Sequence, residues 1–270
     1  MTKATDIDWD GNKIRLRPSA VDNFFTCAHQ WAKTFLEGQV TIPGARAAIG
    51  TAVHKGVEDM WIEAKLKGNK DINMSMVNDS AIESYQSQDN EYDLSYDNGE
   101  DLNTAQGTVL DGVRVFVEDI VPFTDIPDAV EQFIEIDLDH KVVSGLGGTI
   151  DYLGGDIIAD VKTSKRKPVA EGYTTQQTIY KILAESTGKV INHNLIQGVA
   201  FTKNPMGHIL ELEPKVDKTK FLINSMLDSL DAFEQGVDPK ILFRGNTKHY
   251  LCSPKYCSLH SCCPYVNGDV

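Results

Sequence analysis

Between residues 148 and 167 the sequence reads GTIDYLGGDIIADVKTSKRK, and Asp151, Asp160 and Lys162 are the side chains in it that could do chemistry together. Apolar, strand-like stretches flank Gly154-Gly155-Asp156, and Gly155-Asp156 suits a two-residue hairpin loop. With that loop, Gly154 pairs with Ile157 and Asp151 falls directly opposite Asp160. Opposed Cβ atoms stand roughly 5 Å apart, a separation at which two carboxylates repel. Lys162, two residues beyond Asp160, points to the same face. A surface hairpin with an i, i+2 ion pair would use the same residues. Two acids and an ammonium on one face are better explained by a divalent cation on hard oxygen ligands, with a lysine beside it.

The elements that must position this hairpin follow from periodicity. A short strand is expected at 13–16, then a helix N-capped by Ser19 that runs through Val21, Phe24, Phe25, Trp31 and Phe35 and contains Cys27. A second helix spans about 45–67, with Val53, Val57, Met60, Trp61 and Ala64 on one face. Residues 68–104 are polar and read as helices with exposed connections, and 104–119 as an amphipathic helix. Strands are expected at 129–138, 142–153 and 157–163, a helix at 171–185, and strands at 195–202 and 208–212. A long helix follows at 217–234, with Asp217 as N-cap, and the chain past Pro239 is irregular. Helices first, then βββαβ(β), then a cysteine-rich tail, imply an α/β core with a helical insertion. The division expected is a lead-in at 1–17, a helical region at 18–128, a core at 129–236 and a tail at 237–270.

Other residues extend the chemical set. His54 lies about a quarter-turn from the apolar face of the second helix; alone it could equally be a satisfied core or surface histidine. Gln176 and Tyr180 are i, i+4 and share a helix face, with Gln177 the alternative should that helix be rotated. Glu131 and Glu135 on the preceding strand read first as solvent-facing acids and second as a further ligand. Lys162, Lys165, Arg166 and Lys167 place four positive charges in six residues. Such a run is ordinarily a solvated surface, but here it adjoins the acid pair.

The five cysteines are unevenly placed: Cys27 stands alone, and Cys252, Cys257, Cys262 and Cys263 crowd the end of the chain. Clustering of this kind reads as metal or iron–sulfur ligation rather than a disulfide framework. The tail spacing is C-x4-C-x5-C through Cys263 or C-x4-C-x4-C through Cys262. Three tail thiolates are one short of a four-cysteine site, and Cys27 could supply the fourth. The net charge of −13 argues against a basic surface throughout, though not against a local basic groove. A polar start and no long apolar run make a cytoplasmic protein, with no membrane partner, the expectation.

These motifs together resemble the PD-(D/E)XK nucleases in their RecB-like form. That form has a histidine on an early helix, an aspartate on one strand, acid-x-lysine on the next, and a Q-x3-Y helix. Here the matching residues are Gly50-Thr51-Ala52-Val53-His54, Asp151, Asp160-Val161-Lys162 and Gln176-x3-Tyr180. The chain also resembles the iron–sulfur branch of that group, which includes CRISPR-associated adaptation nucleases and AddB-type nuclease domains. The resemblance implies a restriction-endonuclease-like core, with Mg2+ or Mn2+ held by His54, Asp151, Asp160 and the Val161 carbonyl. Lys162 would then orient or deprotonate the attacking water, or stabilise the transition state; Gln176 and Tyr180 would assist.

It further implies a [4Fe–4S] cluster on Cys27, Cys252, Cys257 and Cys263, with zinc as the rival occupant. The usual tail is closer to C-x2-C-x5-C, so this chain departs from the pattern in its first spacing. Cys263 keeps the x5 spacing, and Cys262 and His260 stay open as alternatives. Lys165, Arg166 and Lys167 would contact phosphate. The function expected is a metal-dependent deoxyribonuclease, an exonuclease working on ends or single strands. It would act alone or in a recombination, repair or CRISPR-adaptation assembly, in a host cytoplasm if phage-encoded. The rival class is a non-catalytic iron–sulfur or zinc scaffold that binds DNA or a protein.

Overall fold

The computed structural model describes residues 13–39, 43–94, 96 and 99–268. Its first half holds β1 (Ile14–Leu16), α1 (Pro18–Thr26), α2 (Ala28–Phe35), α3 (Ala45–Lys67), α4 (Met74–Tyr92) and α5 (Leu102–Asp119). Then come β2 (Ala129–Asp137), β3 (Val143–Gly154), β4 (Ile157–Ser164), α6 (Thr174–Ser186), β5 (His193–Ala200) and β6 (Met206–Leu212). The chain closes with α7 (Val216–Glu234) and the short turns α8 (Pro239–Leu242) and α9 (Pro264–Asn267). This is the mixed α/β class expected, with strand order β1-β3-β4-β5-β6 and β2 paired to β3.

The residues gather into two compact units. One holds α3–α5, the chain up to Ile134, and Thr149–Pro214. Within it β3 runs antiparallel to β4, from Gly154↔Ile157 to Tyr152↔Ala159. Gly155 opens the connecting turn at φ +57, a conformation that glycine adopts without a Cβ penalty. The expected Gly154–Ile157 pair is therefore present, and Asp151 and Asp160 stand one residue beyond the last ladder pair on their strands. Next, β4 pairs in parallel with β5 along its length, and β5 antiparallel with β6. A strand with neighbours on both edges is buried, and Ile158–Val161 are.

Three helices close this unit's core. Trp61 of α3, Tyr85 of α4 and Phe116 of α5 are buried in one cluster with Tyr152, Ala159, Val161 and Val199 from the strands. Asn73 caps α4 through Met76 N–H at 3.4 Å, and Asp101 caps α5 through Thr104 N–H at 2.8 Å. Caps of this kind contribute about 1 kcal/mol each. The approach of α3 to β4 is set by Gly50, where an added Cβ would stand 2.8 Å from Thr163 Oγ1. A side chain at 50 would lift the helix that carries His54 off the strand that carries Asp160.

The other unit holds β1, α1, α2, Glu135–Gly148 and the described chain from Lys215 onward. β1 pairs in parallel with the first part of β3. Its packing centre is aromatic: Phe24 meets Trp31 edge-on at 5.3 Å, and Phe233 meets Phe243 edge-on at 5.3 Å. Two expectations are corrected here. The single helix through Cys27 is two helices, because Cys27 is extended (φ −156, ψ 95) and ends α1 while it starts α2. Ser19 and Asp217 lie inside their first turns rather than at the N-caps, which are Arg17, ahead of Pro18 at the first helical position, and Lys215.

Replacing Gly50 with valine should lower unfolding free energy in urea by about 1–3 kcal/mol through overpacking. Gly107→Ala in α5, where a Cβ meets nothing within 4 Å, should instead be neutral or stabilising by up to about 1 kcal/mol. Equal stability of the Gly50 variant and the wild type would contradict the close approach.

Candidate active site and a cysteine pocket

All the side chains of the predicted catalytic set lie in the α3–α5 unit and meet over the β3–β4 hairpin. Asp151 and Asp160 are buried, at 8% and 2% exposure. Asp151 Oδ2 accepts the Val161 backbone N–H at 2.7 Å and lies 2.6 Å from His54 Nε2. Lys162 Nζ stands 2.5 Å from Asp160 Oδ2 as an ion pair. The same ammonium lies 6.0 Å from the centre of the Tyr173 ring. From α6, Gln176 Nε2 donates to Asp160 Oδ1 at 3.3 Å and to Tyr180 Oη at 3.1 Å. Gln177, the alternative, is fully buried on another face of α6.

Glu131 joins this group, which reverses its reading as a solvent-facing acid. Its carboxylate lies 3.3 Å from His54 Nδ1, so His54 bridges Glu131 and Asp151. Among the described residues, His54, Glu131 and Asp151 bring their ligand atoms within 4.8 Å of one another, close enough to hold a metal ion. Glu131 is also at φ +49, a left-handed conformation strained for a residue with a side chain. That single residue breaks the strand's alternation, so a two-residue period could not assign its face. Glu135, its companion in the sequence reading, instead pairs with Arg15 in the other unit. Lys165, Arg166 and Lys167 are exposed on the turn after β4.

Electrostatics reflect the crowding. Burial, then the Asp151 charge, raises the Asp160 carboxyl to about 6, against the lowering by Lys162. Burial alone would lower His54, but its hydrogen bonds to Asp151 and Glu131 outweigh that and raise it to about 10. The proton on His54 therefore holds two acids together in the absence of metal. Tyr180 is raised by burial and by Asp160, so its phenol stays protonated. A pocket of about 350 Å³ opens over His54, Glu131, Val161 and Lys162, with Thr51, Lys55, Glu58 and Ser84 on its walls.

The profile of the PD-(D/E)XK nuclease superfamily matches residues 15–264. The chain belongs to that superfamily. Among solved structures, this superfamily member is similar to a protein from Eubacterium rectale described as a "putative exonuclease". The two share 12% identity at a TM-score of 0.56, over 87% of this chain and 86% of the other. A second structure, SSO0001, matches 51% of this chain and 60% of its own at 16% identity and a TM-score of 0.33. No curated protein matches significantly. No helix among the described residues is long and apolar enough to cross a membrane.

In the other unit the nuclease-family chain has a second candidate site. Cys27, Cys252, Cys257 and Cys263 line one pocket, together with His29, His249 and His260. The break between α1 and α2 is what sets Cys27 at its edge. Cys263 is buried, whereas Cys262 is exposed and its Sγ donates to the Leu259 carbonyl oxygen at 3.4 Å. Burial pushes the Cys252 and Cys257 thiols up, and the neighbouring thiols add to it. His29 is 2% exposed, and its Nδ1 has no hydrogen-bond partner. A buried ring nitrogen with no partner, on the wall of the pocket that the four thiols line, fits a site with room for a further ligand.

Because Asp160 is raised from its ordinary value of 3.8, its ionised form is disfavoured in the fold. The stability it contributes is present at low pH and is lost as pH rises through about 6. In EDTA, Asp160→Asn should therefore match or exceed the wild-type Tm at pH 8, with a smaller advantage at pH 5. A variant less stable than wild type at pH 8 would contradict the repulsion.

Proposed function

We propose that the protein is a Mg2+- or Mn2+-dependent deoxyribonuclease that hydrolyses phosphodiester bonds, working as an exonuclease on ends or single strands. The observation that carries the reading is two buried acids each held by a cationic side chain, Asp151 by His54, which also reaches Glu131, and Asp160 by Lys162. Burying a carboxylate costs several kcal/mol even where it is paired, and a sheet would not keep two together for packing alone. The donor set suits a hard divalent cation: carboxylate oxygens from Asp151, Asp160 and Glu131, an imidazole nitrogen from His54, and the Val161 carbonyl. Such an ion, when bound, neutralises charge on the scissile phosphate and lowers the pKa of a water.

The chain's own groups do the rest. Lys162, held by Asp160 and set over Tyr173, orients the attacking water or takes its proton, or meets the charge on the pentavalent phosphorus. Gln176 fixes the Asp160 carboxylate and aligns Tyr180, whose protonated phenol can donate to a phosphate oxygen. Lys165, Arg166 and Lys167 would contact phosphates on the approaching strand. His54 must give up its bridging proton before it can serve as a ligand.

In the cysteine pocket we assign a [4Fe–4S] cluster on Cys27, Cys252, Cys257 and Cys263, as in the RecB-like iron–sulfur nucleases. What supports the reading is that these four thiols line one pocket. The cluster's part is to stabilise this unit rather than to transfer electrons. Partners in recombination, repair or CRISPR adaptation are those that this family branch would supply.

End-labelled linear and circular single-stranded DNA with Mn2+ tests the reading. Wild type should degrade linear DNA and leave circles intact, and Asp160→Ala or Lys162→Ala should lose about 10²-fold or more in rate. Equal activity in all three would remove the site, and cut circles would remove the need for an end. Anaerobically purified protein should be brown, with a band near roughly 400 nm. A colourless, zinc-loaded protein would overturn the cluster.

A further inference from the structure

The chain carries 39 acidic residues against 26 basic ones, yet from Pro239 to Gly268 it has Lys240, Arg244, Lys248 and Lys255 and no Asp or Glu. All four cations are exposed. On the same stretch, two tyrosines stand out in water: Tyr250 is 74% exposed and Tyr256 55%. Their rings meet edge-on, 6.3 Å apart at 76°. His249 lies against Tyr250 with ring centres 4.7 Å apart, and Lys255 Nζ sits 5.7 Å from the centre of the Tyr256 ring. Packing within this unit does not account for these rings, since each leaves most of its surface to solvent.

We propose that Lys248, Tyr250, Lys255 and Tyr256 form a platform for single-stranded DNA, with bases stacked on the tyrosines and phosphates met by the lysines. The inference rests on the reading of the chain as a deoxyribonuclease and adds a binding surface outside its hydrolytic site. Every base offers a flat π face, so exposed aromatic rings bind unpaired strands with little regard to sequence. Paired bases are closed to such stacking. An acid-free, cationic stretch in an otherwise acidic chain is the charge complement that a polyanion needs.

The test uses the whole chain, anaerobically purified, and fluorescein-labelled oligothymidylate, followed by anisotropy with enough chelator to strip Mg2+ or Mn2+ and block cleavage. Tyr250→Ala/Tyr256→Ala should weaken binding about tenfold or more, while Tyr250→Phe/Tyr256→Phe keeps it, because phenylalanine also stacks. Lys248→Gln/Lys255→Gln should flatten the slope of log affinity against log salt by about 0.7 per lysine. A duplex of equal length should respond to the lysines and not to the tyrosines. Unchanged oligothymidylate affinity in the alanine variant overturns the platform. So does a change in sedimentation state without a change in DNA binding, which would mark a contact between copies.

If the alanine variant fails to fold, the phenylalanine and lysine variants decide: lost binding in the first or an unchanged slope in the second overturns the proposal. A wild type that binds through its tyrosines but cuts nothing with Mn2+ keeps the platform and sinks the hydrolase reading. Cutting without tyrosine-dependent binding does the reverse.

Discussion

Two carboxylates one residue past a hairpin's last ladder pair, both nearly closed off from water, are the constraint around which the α3–α5 unit is arranged. Neither could ionise there unaided. Asp151 is met by the Val161 N–H and by His54, and Asp160 by Lys162 and Gln176. Each partner needs its own support from the fold. α3 can bring His54 in because Gly50 lets it touch β4. α6 brings Gln176 and Tyr180 in as one i, i+4 pair, and Glu131 reaches His54 from a left-handed backbone. The compensation is incomplete: Asp160 stays well above its ordinary range, and His54 keeps a proton it would otherwise release. A site in that state favours a divalent cation in place of the proton.

What was legible in the sequence was local. The hairpin's register followed from a glycine turn and a period of two, and the phase of α6 followed from helical geometry. The long-range parts needed another signal. His54 is 97 residues from Asp151 in sequence, so only a motif resemblance linked them. Alternation turns Glu131 toward solvent because it is blind to one left-handed residue. Periodicity places Cys27 in a continuous helix for a similar reason, since the apolar pattern runs smoothly across a single extended residue. In both places the break in regularity is where a candidate ligand sits.

The cysteine pocket would follow the same logic with soft ligands. Thiols from the first helices and from the tail line one pocket within a single unit, so a bound metal group would staple segments far apart in sequence. A short aromatic centre and two small turns are modest support for a tail of this length. Ligation, as proposed, would supply an order that its apolar content does not. It would also fix the loop that carries Tyr250 and Tyr256.

The bridge from His54 to Asp151 and Glu131 implies that a proton on His54 stands in for a divalent cation there. Calorimetric titration of the chelator-stripped active site with Mn2+, in buffers of different ionisation enthalpy, tests it most directly. With His54 raised to about 10, binding at pH 8 should release about one proton per ion, and affinity should climb as pH rises from 6 to 8. Binding without proton release and with no pH dependence would contradict the account.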